Sequence, residues 1–412
     1  MTKQSTLPKR SERSQISGAF KGKEPHMRGR KRAAAVGALM LAALAACSTG
    51  QSTSTGGPGG EGESDPLATV DAASLVPPQV VAKGPYGETS ADPSALDLSD
   101  SDKNKIMAAK VKVGIVMQTM DIEWSTEQVR GITDRINELG GTVVGTCNGA
   151  WAVDKQSACV DNTISKKPDA IISIPVDDVG MAPAYAKISK AGIKLIFIDS
   201  IGKGLKFPSQ YQGLVTSDVR GNGEAAANAL AKYLPQDATA GILDYGVDFE
   251  TTKQRMYGFK DWMAQNRPDV KIKVAEFQDP AKSGEVAGNF LTANPDVKGM
   301  FTEWEVPAMG IVTALRSQGK TMPVTVVNLA SDIALEQANG GMIKMIGSQR
   351  PYDEGVAEAT AAARAVVGLE NPPFLAFPAT PVLRNNLLTA WKSVYKSDAP
   401  KEIQDACTDA CG

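Results

Sequence analysis

The residues best suited to chemistry stand where apolar runs end. "VGIVMQTMDIEW" closes with Asp121, Glu123 and Trp124; "KLIFIDS" closes with Asp199 and Ser200. "GILDYGVDF" brings Tyr245 and Phe249, and "GMFTEWE" brings Trp304 and Glu305. Arg255 follows in the helical stretch after Phe249, and Gln349 ends "KMIGSQ". An indole face accepts the weakly polar C–H face of a ring. Carboxylates, amides and a guanidinium supply the charge-assisted hydrogen bonds that replace water around hydroxyls. This set predicts a cleft for a small ligand that is neutral and hydroxylated, or partly apolar. Each residue also has a plainer use: Asp199 as a cap, Trp124 and Trp304 as packing, Arg255 as a solvated helix residue. Trp262 and Trp391 fall at helix-packing positions and receive no role.

Other chemistries lack their residues. The only histidine is His26, upstream of the processing site argued below, so the mature chain would hold no imidazole. Ser-His-Asp and Cys-His nucleophiles and histidine metal sites are then excluded. Carboxylate or lysine chemistry stays open, including a glycosidase pair drawn from Glu123, Asp199 and Glu305. "DSDKNK" from Asp100 begins with calcium-loop spacing, but Lys105 replaces the required glycine and Val111 the required glutamate. No glycine-rich phosphate loop stands at a strand–helix junction. No metal and no cofactor are expected. The formal net charge is -2, but the first 46 residues hold ten basic and two acidic side chains. The remainder has 34 basic against 44 acidic residues, which argues against a nucleic-acid partner.

The elements that must position these residues alternate regularly from Val111 onward. "VKVGIVMQ", "TVVGTC", "AIISIPV" and "KLIFID" predict strands, with helices around 125–139, 153–166 and 181–191. A second series, "GLVTSD", "AGILDYG", "KIKVAEFQ", "GMFTEW" and "VTVVNLA", is separated by helices around 222–234, 251–266, 283–293 and 307–317. Continuous apolar runs fit strands buried on both faces of a parallel sheet. The alternation predicts right-handed βαβ units in two doubly wound α/β lobes, whose ligand sites lie at the carboxyl ends of the strands.

The N-terminus predicts export. "MRGRKRAAAVGALMLAALAAC" has a basic start and an apolar run too short to span a bilayer, so it reads as a signal peptide with Met27 as the true start. Leu44-Ala45-Ala46-Cys47 resembles a lipobox, which makes Cys47 the acylated new N-terminus and the membrane anchor. Residues 47–109 read as a Ser/Gly/Pro-rich flexible tether followed by an irregular extension. Export implies oxidising surroundings. Cys147 ends a strand and Cys159 lies on the next helix, while Cys407 and Cys411 sit four apart. The pairs Cys147–Cys159 and Cys407–Cys411 are expected.

In order and spacing, "VGIVMQTMDIEWSTEQVRGI", "KKPDAIISIPVDD", "AGIKLIFIDS", "TTKQRMYGFKDWM", "ANPDVKGMFTEWEVPAMGIVTAL" and "GSQRPYDEG" resemble the ribose-type periplasmic binding proteins of ABC importers. The resemblance covers about 110–381. It implies two lobes joined by three hinge strands near 215–217, 347–350 and 378–381. The N-lobe would be 110–215 plus 350–379, and the C-lobe with its tail 216–349 plus 380–412; residues 1–46 would be leader. It further implies that Trp124 stacks on a ring, Asp199 holds hydroxyls, Arg255 binds ligand and Gln349 sits at the hinge. Ser200 stands where the family often has arginine, Trp304-Glu305 where it has Asn-Asp, and Asn328 and Ala330 near a usual aspartate, with Asp332 shifted. These departures imply a more aromatic pocket and argue against ribose itself, leaving a polyol, a deoxy-sugar or another small hydroxylated compound. The expected partner is an ABC permease, with the receptor a monomer held to the outer face of the cytoplasmic membrane by its lipid. Three other readings stand beside this one. A sensor-coupled receptor, or a binder of an amine or aromatic solute, shares these features. A repressor would need a helix-turn-helix where this chain has a leader.

Overall fold

A computed structural model describes residues 65–407 and Cys411. The signal sequence, Cys47 and most of the Ser/Gly tract lie outside them. The regular fold begins with helix α1 (Asp100–Ala109), then alternates β1 (Lys112–Met117), α2 (Glu123–Glu138), β2 (Thr142–Asn148), α3 (Val153–Ser165), β3 (Ala170–Ser173), α4 (Ala182–Lys190), β4 (Lys194–Ile198) and β5 (Leu214–Ser217). The chain then crosses to α5 (Val219–Ala231), β6 (Thr239–Tyr245), α6 (Glu250–Asn266), β7 (Lys271–Phe277), α7 (Ser283–Ala293), β8 (Val297–Thr302), α8 (Glu305–Ser317), β9 (Val324–Val327), α9 (Ser331–Ala338) and β10 (Ile343–Ser348). It returns through α10 (Pro351–Val366) and β11 (Phe374–Phe377), and crosses again to β12 (Thr380–Val382), α11 (Leu387–Tyr395) and α12 (Lys401–Ala406).

These strands form two six-stranded sheets, ordered β11-β5-β4-β3-β1-β2 and β12-β10-β9-β8-β6-β7. All pairings are parallel except β10 with β12. Central strands are buried along their length, as in β3 and β6, while the edge strands β2 and β7 alternate with solvent. "GLVTSD", grouped by sequence with the second series, supplies β5 of the first sheet: it pairs with β4 and β11 before the chain crosses. Three crossovers therefore lie at Ser217–Val219, Ser348–Pro351 and Phe377–Thr380. Helices in both lobes pack closely at glycines. A Cβ on Gly131 would strike Tyr352 O and one on Gly355 would strike Gln128 O, joining α2 to α10. Gly223 and Gly258 do the same for α5 and α6 against Arg255 O and Arg220 O.

Residues 65–99 form a strap that runs across both lobes. Leu67, Ala72 and Leu75 are buried in the C-lobe cluster with Ala226 and Leu230. The amides of Val81 and Ala82 bond the Asp218 carboxylate at the first crossover, both at 2.9 Å. Ala91 N then bonds Phe374 O on the N-lobe edge. One expectation needs correction: residues 100–109, read as part of an irregular extension, form α1. Ser99 caps it and Ile106 is its single buried residue, so no periodic apolar stripe marks it in sequence. At the other end, Trp391 and Tyr395 of α11 are buried; Tyr395 Oη bonds Leu329 O, and Arg130 on α2 bonds Tyr395 O. The tail thus touches both lobes.

Candidate functional site

The carboxyl ends of both sheets face one another, and the loops leaving them build a cleft. Its lining comprises Gln118, Ile122 and Trp124 after β1, Trp151 after β2, Ile174 after β3 and Asp199 after β4. From the other lobe come Tyr245, Phe249, Thr251, Thr252, Arg255, Trp304 and Asn328, with Gln349 at the second crossover. Five of these side chains are aromatic. Trp304 stacks on Trp151 across the lobes (centroids 6.2 Å, 25°) and meets Tyr245 edge-on at 5.0 Å.

Polar groups run under the aromatic walls as a relay. Arg255, nearly fully buried, donates from Nη1 to Glu303 O (2.7 Å) and from Nη2 to Gln349 Oε1 (2.9 Å). Gln349 Nε2 in turn donates to both Asp199 oxygens at 2.9 and 3.0 Å, and Thr216 Oγ1 donates to Asp199 Oδ1 at 2.7 Å. A C-lobe cation, a hinge amide and an N-lobe carboxylate are thereby joined. Burial pushes Asp199 up, while the positive charge of Arg255 and these hydrogen bonds pull it down. Four buried polar atoms on the cleft lining have no hydrogen-bond partner: Gln118 Oε1, Trp124 Nε1, Trp304 Nε1 and Arg255 Nε. Leaving such groups unpaired costs about 1–3 kcal/mol each, which a ligand with donors and acceptors recovers.

The lobes are in contact. Ser331 N bonds Glu123 Oε2 at 3.1 Å, Thr251 Oγ1 bonds Asp199 O at 3.3 Å, and Lys203 pairs with Asp248 at 3.0 Å. The closed cleft leaves about 30 Å³, room for roughly two waters. A six-membered ring does not fit in that volume with the lobes and the Trp151–Trp304 stack as they stand.

Of the residues singled out in the sequence, Trp124, Asp199, Tyr245, Phe249, Arg255, Trp304, Asn328 and Gln349 line this cleft, and four stand elsewhere. Asp121 is exposed and bonded to Thr119 in the turn before α2. Glu123 bridges to α9, and Ser200 Oγ bonds Asp178 Oδ2 at 2.6 Å. Glu305 begins α8 and is buried without being on the cleft lining; burial pushes it up to about 8, outweighing Arg255 and Asn328 of that lining, which stabilise its charged form. Sequence reasoning did not single out Gln118, Ile122, Trp151, Ile174, Thr251 or Thr252. Trp151 had a signal: "CNGAW" follows a strand at the same sheet edge as Trp124.

Comparison with known proteins matches residues 113–370, more than half of the chain, to the family described as periplasmic binding protein domain. The chain belongs to that family. Its architecture is the type I form, two parallel-sheet lobes joined by three crossovers. Among curated relatives, it is 25% identical over 212 residues to the ribose import binding protein of Bacillus subtilis (strain 168), covering 52% of this chain and 68% of that one. It is 30% identical over 176 residues to the D-ribose/D-allose-binding protein of Pseudomonas aeruginosa, covering 42% and 54%. Among solved structures, an ABC transporter solute-binding protein from Agrobacterium vitis with bound α-D-tagatopyranose superposes with a TM-score of 0.65 at 20% identity, covering 69% of this chain and 99% of that one. A second, with bound D-fucose, gives 0.62 at 22% identity, covering 70% and 100%.

Proposed function

We propose that this chain is the solute-binding lipoprotein of an ABC importer. It captures a sugar or polyol between its lobes and delivers it to a permease. The observation that carries this reading is the Arg255–Gln349–Asp199 relay lying beneath aromatic faces that keep unpaired indole N–H groups. Hydroxyls can bond the relay and the indoles while a C–H face stacks on tryptophan. The ribose and allose in the names of its relatives support the same class. Ligand contacts made only in the closed form shift the open–closed balance, and a swing from 1:99 to 99:1 needs about 5.5 kcal/mol of differential binding. Export through the signal at Met27, acylation at Cys47, pairing of Cys147 with Cys159 and of Cys407 with Cys411, and a monomeric state complete the proposal. The sulfurs of both cysteine pairs lie at bonding distance, which supports their pairing.

The test is a thermal-shift screen of the full chain against pentoses, hexoses and polyols. A ligand at 100 times its dissociation constant stabilises by about 2.7 kcal/mol, several degrees in melting temperature. A hit that Asp199→Ala abolishes is the expected result. A folded chain that none of these compounds stabilises would remove the carbohydrate reading.

A further inference from the structure

Glu354 and Glu358 stand one turn apart on α10, and neither side chain is exposed. Glu354 Oε1 accepts from Ser217 Oγ at the first crossover and from Arg350 N at the second, the latter at 2.9 Å. Glu358 Oε1 accepts from Gln128 Nε2 on α2 at 2.5 Å. The other oxygen of each carboxyl, Oε2, has no partner. Neither has Gln128 Oε1, although Gln128 is fully buried and its amide is aimed at Glu358. Helices α2 and α10 touch here, with no room for a Cβ on Gly355 beside Gln128 O. Oxygens closed to solvent in such a seam take no occupant larger than a proton.

No cation settles the charge of Glu358. It faces Glu354 and Asp199, both of its own sign, and the uncharged Gln128 is its donor. Glu354 faces Asp199 from the end of β4 and Arg255 from α6. The other cations near α10 are engaged elsewhere. Arg350 pairs with Asp353, as does Lys396 after α11, while Arg130 and Arg135 on α2 pair with Glu127 and Glu138. Lys103 of α1 lies over the outer face of α10, by Val356 and Thr360. Asp199, with three donated hydrogen bonds, takes the negative charge that Arg255 balances. A further carboxylate in the same buried volume would be unbalanced, and such groups keep their protons instead. Burial, then the like charges of Glu354 and Asp199, push Glu358 well up.

We propose that Glu358 carries a proton at neutral pH and forms a closed acid–amide pair with Gln128. Gln128 Nε2–H donates to Glu358 Oε1, and Glu358 Oε2–H donates to Gln128 Oε1, so each group gives and receives one bond. The pair holds α10, which starts at the second crossover, against α2 without adding charge behind Asp199. On the reading given above, an ionised Asp199 accepts a solute's hydroxyls, and a neutral Glu358 preserves that state. Alkaline pH removes the proton, charges the seam and loosens the hinge.

The test uses the full chain without solute and the variant Glu358→Gln, whose amide offers Gln128 the same acceptor and donor at every pH. The folded wild type keeps a proton that the unfolded chain loses near pH 4.5, so its stability falls as pH rises above that value. Melting temperatures are expected to agree within about 2 °C at pH 5, and the variant is expected to melt several degrees above the wild type at pH 8. Infrared spectra at pH 7 are expected to show a protonated-carboxyl band that weakens in the variant. An equal fall in melting temperature in both chains, a variant that melts below the wild type throughout or does not fold, or an unchanged acid band would each overturn the assignment. No solute is present, so these outcomes are independent of the sugar screen. A failed screen leaves the proton in place, and an ionised Glu358 leaves the screen's result intact.

Discussion

Trp151 holds a left-handed backbone (φ 57°), next to Ala150 at φ 48°. Bulky residues avoid this region, and holding one there costs on the order of 1–3 kcal/mol. The stack on Trp304 is the contact that stands against that cost. Trp151→Ala is therefore expected to weaken the best sugar or polyol hit about 10-fold, or ~1.4 kcal/mol. Calorimetry checks it, and unchanged affinity would make Trp151 a packing residue. Glu305 gives a different prediction. Its carboxyl moves from 4.5 to about 8 through burial, and that of Glu354 likewise. Between those values the folded chain binds protons that the unfolded chain has lost, so stability falls as pH rises from about 5 to 8. Asp296, held down to about 2 by Lys273, acts with the opposite sign but below pH 4. Glu305→Gln should flatten the fall in melting temperature with pH, the stability involved being at most about 5 kcal/mol; identical pH slopes would refute the assignment. At this scale the sequence was legible where a residue ends an apolar strand, as Asp199 and Trp304 do. It was misleading for Glu305, because β8 ends at Thr302, so Glu305 lies three residues beyond the strand as the first residue of α8 and is buried there. For Trp151 the signal was its place just after a strand, in "CNGAW"; the αL backbone that turns it into the cleft was not readable from local pattern.

Helix pairs set where the relay sits. Arg255 reaches Gln349 because α6 lies tight against α5, with Gly223 under the Arg255 carbonyl. Gly223→Ala should push the helices apart, lower stability by about 1–3 kcal/mol and displace Arg255, so melting temperature and ligand affinity fall together. Gly288→Ala is the control. Its added carbon would meet only Ala314 Cβ at 3.8 Å, and helix propensity favours alanine. If the two variants behave alike, close helix packing is not what places Arg255. Strands were legible as elements because β-branched runs mark them. The membership of β5 was not, since a strand just before a crossover looks the same whichever sheet it joins. Helix α1 and the strap escaped notice for another reason. They bury isolated residues, Leu67, Leu75, Ile106, rather than a repeating face.

The whole molecule is held at its hinge from outside as well as within. Asp218 caps α5 and accepts the amides of Val81 and Ala82. Asp218→Ala is expected to cost about 1–3 kcal/mol, read as a lower melting temperature; no change would mean that the strap is only draped on the surface. The strap makes a fourth passage between the lobes, beside the three crossovers. A chain tied this way has fewer ways of being open, so opening releases less disorder than it would in an untied pair of lobes. The fraction of time spent competent to hold a solute rises, and the apparent dissociation constant falls in proportion to it. Two receptors with the same cleft residues can then differ in affinity through a segment that precedes their shared fold.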